Sequence, residues 1–135
     1  MKFETIDMFF NNIDYQMVWG GEDNLLHFVH IQPIILEMVS KVFMVSSREI
    51  LSKSRSQAHI AFARQVAMYL THICCGLNLT QTGKIFCRDR TTVAYACSLV
   101  EDRRDEECFD LTLDLLEKTI KEFVISRRES NIYAL

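Results

Sequence analysis

The sequence predicts an all-α protein of about six helices. Only one proline and four glycines occur among 135 residues, which disfavours a turn-rich β architecture. Apolar residues recur at spacings of three and four through much of the chain, the period of one face of a helix. With 49% hydrophobic and 24% charged residues, the composition is typical of one globular domain. It excludes a disordered chain, and the length excludes a large multidomain enzyme.

The first thirty residues are the hardest to interpret. Large apolar side chains cluster among residues 8–19 without a regular period. We expect a short helix that covers the core, and the alternative is a contact surface for a homodimer or another partner through residues 1–30. A clear periodic series begins at Pro33, and proline is favoured in the first turn of a helix. A helix is therefore predicted to start there.

The next elements are marked by caps. Ser46 is a favoured N-cap for a short helix that ends at Leu51, and the polar, basic residues 52–57 are predicted to form a loop. A long helix is predicted over residues 59–75, because an apolar stripe continues through it and Gly76 is a typical terminating residue. The residues predicted off this stripe or at its edge are Arg64, Gln65, Thr71 and His72.

Residues 79–101 are predicted to form two short helices joined by a three-residue turn. The first runs from Leu79 to about Phe86, and Asp89 is expected to cap the second through its carboxylate. This helix-turn-helix pattern seats one face of its second helix on the core and presents the first turn to the DNA major groove. The predicted core face of the second helix consists of Val93, Ala96, Cys97 and Val100.

The exposed first turn of the second helix carries Arg90, Thr91 and Thr92. Arginine can bond the O6 and N7 atoms of guanine, and threonine offers a hydroxyl or a methyl group to a base edge. The alternative is that the two threonines are only residues of the capping turn at the start of the helix. Spacing alone is a moderate signal, since many helix pairs share it.

A last helix is predicted over about residues 109–125, and residues 126–135 are interpreted as a frayed tail. The apolar residues expected on its buried face are Phe109, Leu113, Leu116, Ile120 and Phe123.

Charge is distributed unevenly along the chain. Residues 1–47 have two basic and six acidic side chains, residues 48–104 have nine and four, and residues 105–135 have four and eight. A basic middle segment between acidic ends is a candidate binding surface for a polyanion, and the alternative is ordinary surface variation.

Five cysteines without a CxxC spacing favour free thiols and disfavour a structural zinc site. No apolar run approaches the length of a membrane span, and the acidic start is not typical of a signal peptide, so a cytoplasmic protein is expected.

Two stretches carry a resemblance to a known family. Residues 64–70 read Arg-Gln-Val-Ala-Met-Tyr-Leu, and residues 85–97 contain Arg-Asp-Arg-Thr-Thr-Val. Together they closely resemble the C-terminal DNA-binding domain of the bacterial replication initiator DnaA, whose signature centres on Arg-Asp-His-Thr-Thr-Val. The resemblance covers roughly residues 32–120 and implies a domain over residues 32–125, preceded by an extension over residues 1–31. It also implies a Trp-repressor-like helical bundle.

The resemblance implies double-stranded DNA as the partner, read at DnaA boxes. Asp89, Arg90, Thr91 and Thr92 would lie near base edges in the major groove, and Arg55 would enter the adjacent minor groove. The 55–64 segment is one residue longer than usual, so Lys53 is an alternative to Arg55. Position 90 is arginine where the initiators usually have histidine. The positions that match the family's DNA surface, mostly for phosphate contacts, are Arg64, Gln65, His72, Leu79 and Thr80, and charge adds Lys84 and Arg88.

The prediction is a stand-alone reader of DnaA-box-like DNA that regulates replication initiation or transcription. No GxxxxGK[ST] motif occurs in the sequence, so no ATPase activity, nucleotide or other cofactor is expected. No nucleophile–base pair or metal cluster indicates an enzyme. The alternative is a protein-interaction module that keeps the fold and has lost specific DNA binding.

Overall fold

The structure, a computed structural model, describes residues 23–53 and 57–133, with side chains described for 31–53 and 57–126. These ranges contain six helices and no strand, which confirms the all-α prediction. The helices are α1 Asp23–Phe43, α2 Ser47–Leu51, α3 Ala58–Cys75, α4 Leu79–Phe86, α5 Arg90–Arg103 and α6 Glu107–Tyr133.

Helix α1 begins ten residues before the predicted start. Pro33 lies inside this 21-residue helix, not at its N-terminus, so that prediction is wrong. The side chain of Pro33 is exposed, which lets water serve the backbone carbonyl that a proline leaves without its helical partner. Ile31 and Ile35, on either side of it, are both 1% exposed, and the buried face of the helix therefore continues across the proline.

The predicted caps of α2 and α3 are present. The Ser46 hydroxyl accepts a hydrogen bond from the Glu49 amide at 3.2 Å, and the Glu49 carboxylate accepts one from the Ser46 amide. This reciprocal pair is a capping box. Helix α3 ends at Gly76, whose φ of 68° is in the left-handed region that favours glycine. Both helices therefore have the predicted ends, within one residue.

Helix α3 is the centre of the bundle and contacts each of the other five helices. The predicted apolar stripe is buried, but residues expected outside it are buried as well. Met68, Tyr69 and Thr71 are each about 1% exposed. The two-sided burial arises because helices pack on opposite faces of α3, which a one-faced periodic pattern does not reveal.

Helix α6 is longer than predicted and its buried face is shifted at the end. It continues to Tyr133, because no glycine or proline follows residue 125 to stop it. Leu113, Leu116 and Ile120 are buried as predicted, but Phe123 is 43% exposed and Val124 occupies the core position. A spacing of four from Ile120 keeps the valine on the buried stripe.

All five cysteines are free thiols, as predicted. Cys74, Cys75 and Cys97 are buried in the core, and burial raises the pKa of the Cys75 thiol to about 12. No helix within residues 23–53 and 57–133 combines the length and the apolar character needed to cross a bilayer.

Candidate nucleic-acid interface

Helices α4 and α5 are joined by the turn Cys87–Asp89, where the sequence predicts it. The Arg88 amide donates a hydrogen bond to the Gly83 carbonyl at 2.8 Å, and this bond folds the chain back on the end of α4. Cys87 ends α4 with φ 54°, a left-handed conformation that costs a non-glycine residue about 1 kcal/mol. Gly83 is fully enclosed by this turn, since a Cβ atom there would lie 2.5 Å from the Arg88 carbonyl oxygen.

Helix α5 divides its residues between the core and solvent. Val93, Ala96 and Val100 are 0% exposed and Cys97 is 1% exposed, so the predicted core face is confirmed. The first turn is on the other side. Arg90, Thr91 and Thr92 are exposed, and so is the preceding Asp89. The structure therefore brings the four residues predicted near base edges to one exposed helix start.

Asp89 is the N-cap of α5, as predicted, but its role differs in one respect. Its backbone carbonyl accepts the Val93 amide at 3.1 Å, while its carboxylate makes no hydrogen bond to the first turn. The expected carboxylate cap is thus wrong. Asp89 is exposed beside the helix start, and an exposed carboxylate can accept a hydrogen bond from the amino group of a base edge.

Helix α4 presents its N-terminus and one cationic side chain. Asn78 and Gln81 form a second capping box, with bonds of 2.8 and 3.0 Å. Leu79, predicted at the DNA surface, is 3% exposed and belongs to the core, so that placement was wrong, whereas Thr80 is exposed. The first amides of a helix lack intrahelical acceptors and attract anions. Lys84 is exposed further along the helix.

Two residues predicted at the DNA surface are buried in α3. His72 is 0% exposed, and its Nδ1 donates to the Leu77 carbonyl at 2.6 Å, so placing it at the surface was wrong. Arg64 is 6% exposed and donates to the backbone carbonyls of Ile50 at 2.7 Å and Glu49 at 3.0 Å. Burial lowers the pKa of Arg64, and the nearby charge of Arg88 lowers it further.

The remaining predicted residues are placed differently. Gln65 is partly exposed on α3. Arg88 is partly exposed, and its guanidinium donates to the Phe86, Cys87 and Ser52 carbonyls at 3.2, 3.3 and 3.0 Å. Arg55, predicted for the minor groove, lies outside the described residues.

Tyr95 is an exposed residue near the start of α5 that was not among the predicted contacts. Tyr95 is 64% exposed and lies one helical turn after Thr91, on the same side of the helix. A tyrosine hydroxyl is a suitable donor to a phosphate oxygen. The spacing of four from Thr91 is the sequence signal that identifies it.

A buried polar network holds α5 and α6 against α3. The Tyr69 hydroxyl donates to the Glu101 carboxylate and accepts from Arg104 at 3.0 Å. Arg104 also binds carboxylates of α6. Burial lowers the pKa of Arg104, but its hydrogen bonds, first of all to Asp110, outweigh that effect and raise it overall. The α6 carboxylates that it binds are Asp110, Asp114 and Glu117.

These features define a helix-turn-helix domain in an all-α bundle. The family model for the bacterial DnaA protein helix-turn-helix matches residues 33–100, half of the chain. The chain belongs to this family.

Relatives of known name agree with this assignment. The chromosomal replication initiator protein DnaA of Lachnoclostridium phytofermentans is 43% identical over 89 residues, which are 64% of this chain and 19% of the relative. The DnaA protein of Bifidobacterium animalis subsp. lactis is 36% identical over 81 residues, 58% of this chain and 14% of the relative. The chain thus spans about a fifth or less of the length of these relatives.

A solved structure of a DNA replication initiation factor has the same fold. Its TM-score is 0.66 at 27% sequence identity, and the match covers 84% of this chain and 36% of the other.

Proposed function

We propose that this chain binds double-stranded DNA at DnaA-box-like sites through α4 and α5, without nucleotide and without catalysing a reaction. The observation that carries the proposal is the division of α5. Its core residues are fully buried, while Arg90, Thr91 and Thr92 stand exposed at its N-terminus, directly after a tight turn. This is the arrangement that places the start of a recognition helix in the major groove.

Charge around the helix-turn-helix supports the proposal. Lys84, Arg90 and Lys53 are exposed cations, and a chain of net charge −3 needs exposed cations at its binding surface to approach phosphate. The acidic C-terminal part of the chain repels DNA phosphates less than its composition suggests, because Arg104 binds three of its carboxylates. They are Asp110, Asp114 and Glu117.

We further propose that the chain regulates replication initiation or transcription in a bacterial cytoplasm, in association with the nucleoid. A domain that binds the same boxes as the initiator competes with the initiator for them, whether or not the domain is joined to an ATPase. Deletion of the gene should change origin firing or transcript levels, and the regulatory role fails if neither changes.

The test of DNA binding is fluorescence anisotropy of a labelled DnaA-box duplex and a scrambled duplex in a salt series. We expect preferential binding of the box. Its affinity should fall steeply with salt, because binding releases counterions from the DNA and added salt opposes that release. Arg90→Ala should abolish the preference. Arg103→Ala, at the far end of α5, is the matched control and should keep it.

The other outcomes separate the rival functions. Equal, weak, salt-sensitive binding of both duplexes would indicate nonspecific binding. The absence of binding at low salt would contradict the proposal and favour a protein-interaction module. For that function the exposed apolar side chains of α6, Leu111 and Leu115 at 60% and 67% exposure, are the surface to test first.

A further inference from the structure

Two arginines from different elements bind the C-terminal end of the short helix α2. Arg64 of α3 donates to the Glu49 and Ile50 carbonyls, and Arg88 of the helix-turn-helix donates to the Ser52 carbonyl. The last carbonyls of a helix have no intrahelical donor and carry its negative dipole end. A five-residue helix is mostly such ends, so these two cations stabilise the end of α2 and the residue that follows it.

Arg88 connects this chain exit to the turn before the recognition helix. Its Nη1 donates to the Phe86 and Cys87 carbonyls at 3.2 and 3.3 Å, and its Nη2 donates to the Ser52 carbonyl at 3.0 Å. The guanidinium is planar and its donors have fixed relative positions. It therefore acts as a rigid brace between two segments that are 36 residues apart in sequence.

The Arg88 brace links the positions of two exposed cations, Lys53 and Arg90. Lys53 is exposed and follows Ser52 directly, within about 3.8 Å along the backbone. Arg90 is exposed and lies two residues after Arg88, in the first turn of α5. Fixing Ser52 to the turn consequently fixes the backbone of Lys53 relative to the start of the recognition helix.

We propose that Arg88 is a positioning residue that holds Lys53 in register with the recognition helix, so that Lys53 and α5 contact DNA as one unit. The proposal rests on the proposed DNA-binding function and changes the role of Arg88 within it. A phosphate contact needs only the charge of Arg88. A brace needs its two-sided geometry, which the single nitrogen of a lysine side chain does not supply.

The test is a double-mutant cycle on box affinity. Arg88→Lys keeps the charge, and we expect it to weaken box binding about tenfold. Lys53→Gln should weaken binding about fivefold in the wild-type background and less than twofold in the R88K background, because Lys53 is then already out of register. Lys84→Gln is the matched control: it removes an exposed cation of the same domain, and its effect should multiply with that of K53Q.

A measurement without DNA accompanies the cycle. The Ser52 amide donates to the Glu49 carbonyl at 3.2 Å, and its hydrogen exchange should accelerate at least fivefold in R88K. The amides of Val93 and Val100, on the core face of α5, should exchange as in the wild type and report an intact fold. If R88K does not fold, Arg88→Gln, which retains one donor group, replaces it in both arms.

The results distinguish the two proposals. Wild-type affinity and salt dependence in R88K, or multiplicative effects of R88K and K53Q, would overturn the positioning role and leave Arg88 a simple phosphate contact. Unchanged exchange of the Ser52 amide would overturn it as well. If the wild-type protein shows no box preference, the proposed function fails and the joint reading of DNA fails with it.

Discussion

The carbonyl oxygen of Gly83 accepts a hydrogen bond from the Arg88 amide at 2.8 Å, and the Arg88 carbonyl oxygen lies 2.5 Å from the position that a Cβ on Gly83 would take. The turn of the helix-turn-helix therefore closes directly over this glycine. Its backbone conformation is helical, so what position 83 requires is the absence of a side chain.

Gly83→Ala should destabilise the domain despite the better helix propensity of alanine. The new methyl group would lie 2.5 Å from a backbone oxygen that the turn holds in place. We expect a net loss of about 1–2 kcal/mol, since overpacking outweighs a propensity gain of about 1 kcal/mol. Urea denaturation checks this. Lys84→Ala, at the next and exposed position, should stay within about 0.5 kcal/mol of the wild type.

Arg90→His should change which base pair is preferred. A bidentate arginine–guanine contact is worth about 1–3 kcal/mol of discrimination, and histidine offers a different donor set. Competition among duplexes that carry each base pair in turn at each box position measures the change. Arg103→His makes the same replacement in the last turn of α5 and should leave the preference intact; a shift in that control would refute the assignment to Arg90.

Arg104→Met should loosen α6 from the bundle. It leaves three carboxylates and the Tyr69–Glu101 pair without their shared cation. We expect about 2 kcal/mol of destabilisation in urea, below the roughly 3–5 kcal/mol of a fully buried pair, because Asp114 is half exposed. Lys118→Met changes an exposed cation of the same helix. A loss no larger than in this control would show that the network contributes nothing to stability.

Alkaline pH should destabilise the protein through Cys75. Burial raises the pKa of this thiol from 9.0 to about 12 in the folded state, so the unfolded chain loses the proton first. The stabilisation is complete below pH 9 and is lost as pH rises from 9 towards 12, by about 1.4 kcal/mol per unit. Denaturation at several pH values should show a smaller slope for Cys75→Ala. Cys108→Ala removes an exposed thiol, and its slope should equal that of the wild type.

Local signals made most helix ends predictable. Ser46 with Glu49 three residues later, and Gly76 after an apolar stripe, each act through bonds within a few residues, so the sequence contains the whole cause. The core face of α5 was equally predictable from the sequence, because Val93, Ala96 and Cys97 follow a helical period. The start of α1 was not, since Pro33 is tolerated inside a helix when it faces solvent.

The candidate site was harder to predict from the sequence than the fold. The exposure of Arg90, Thr91 and Thr92 follows from the period of α5. The burial of His72 does not follow from any local pattern, because it depends on helices that pack on both sides of α3. Likewise, the bonds of Arg64 and Arg88 to carbonyls of residues 49–52 join distant parts of the chain, which spacing in the sequence cannot reveal.

Because the exposed and the buried residues of α5 lie on opposite faces, the two sets can evolve independently. Thr91, Thr92 and Tyr95 are exposed, so under the proposed function their replacement would alter what the helix reads at little cost to folding. Evolution, or a randomised library at these three positions, can therefore explore new target sequences on an unchanged scaffold. Val93, Ala96 and Val100 on the opposite face are fully buried, so substitutions there would destabilise the fold.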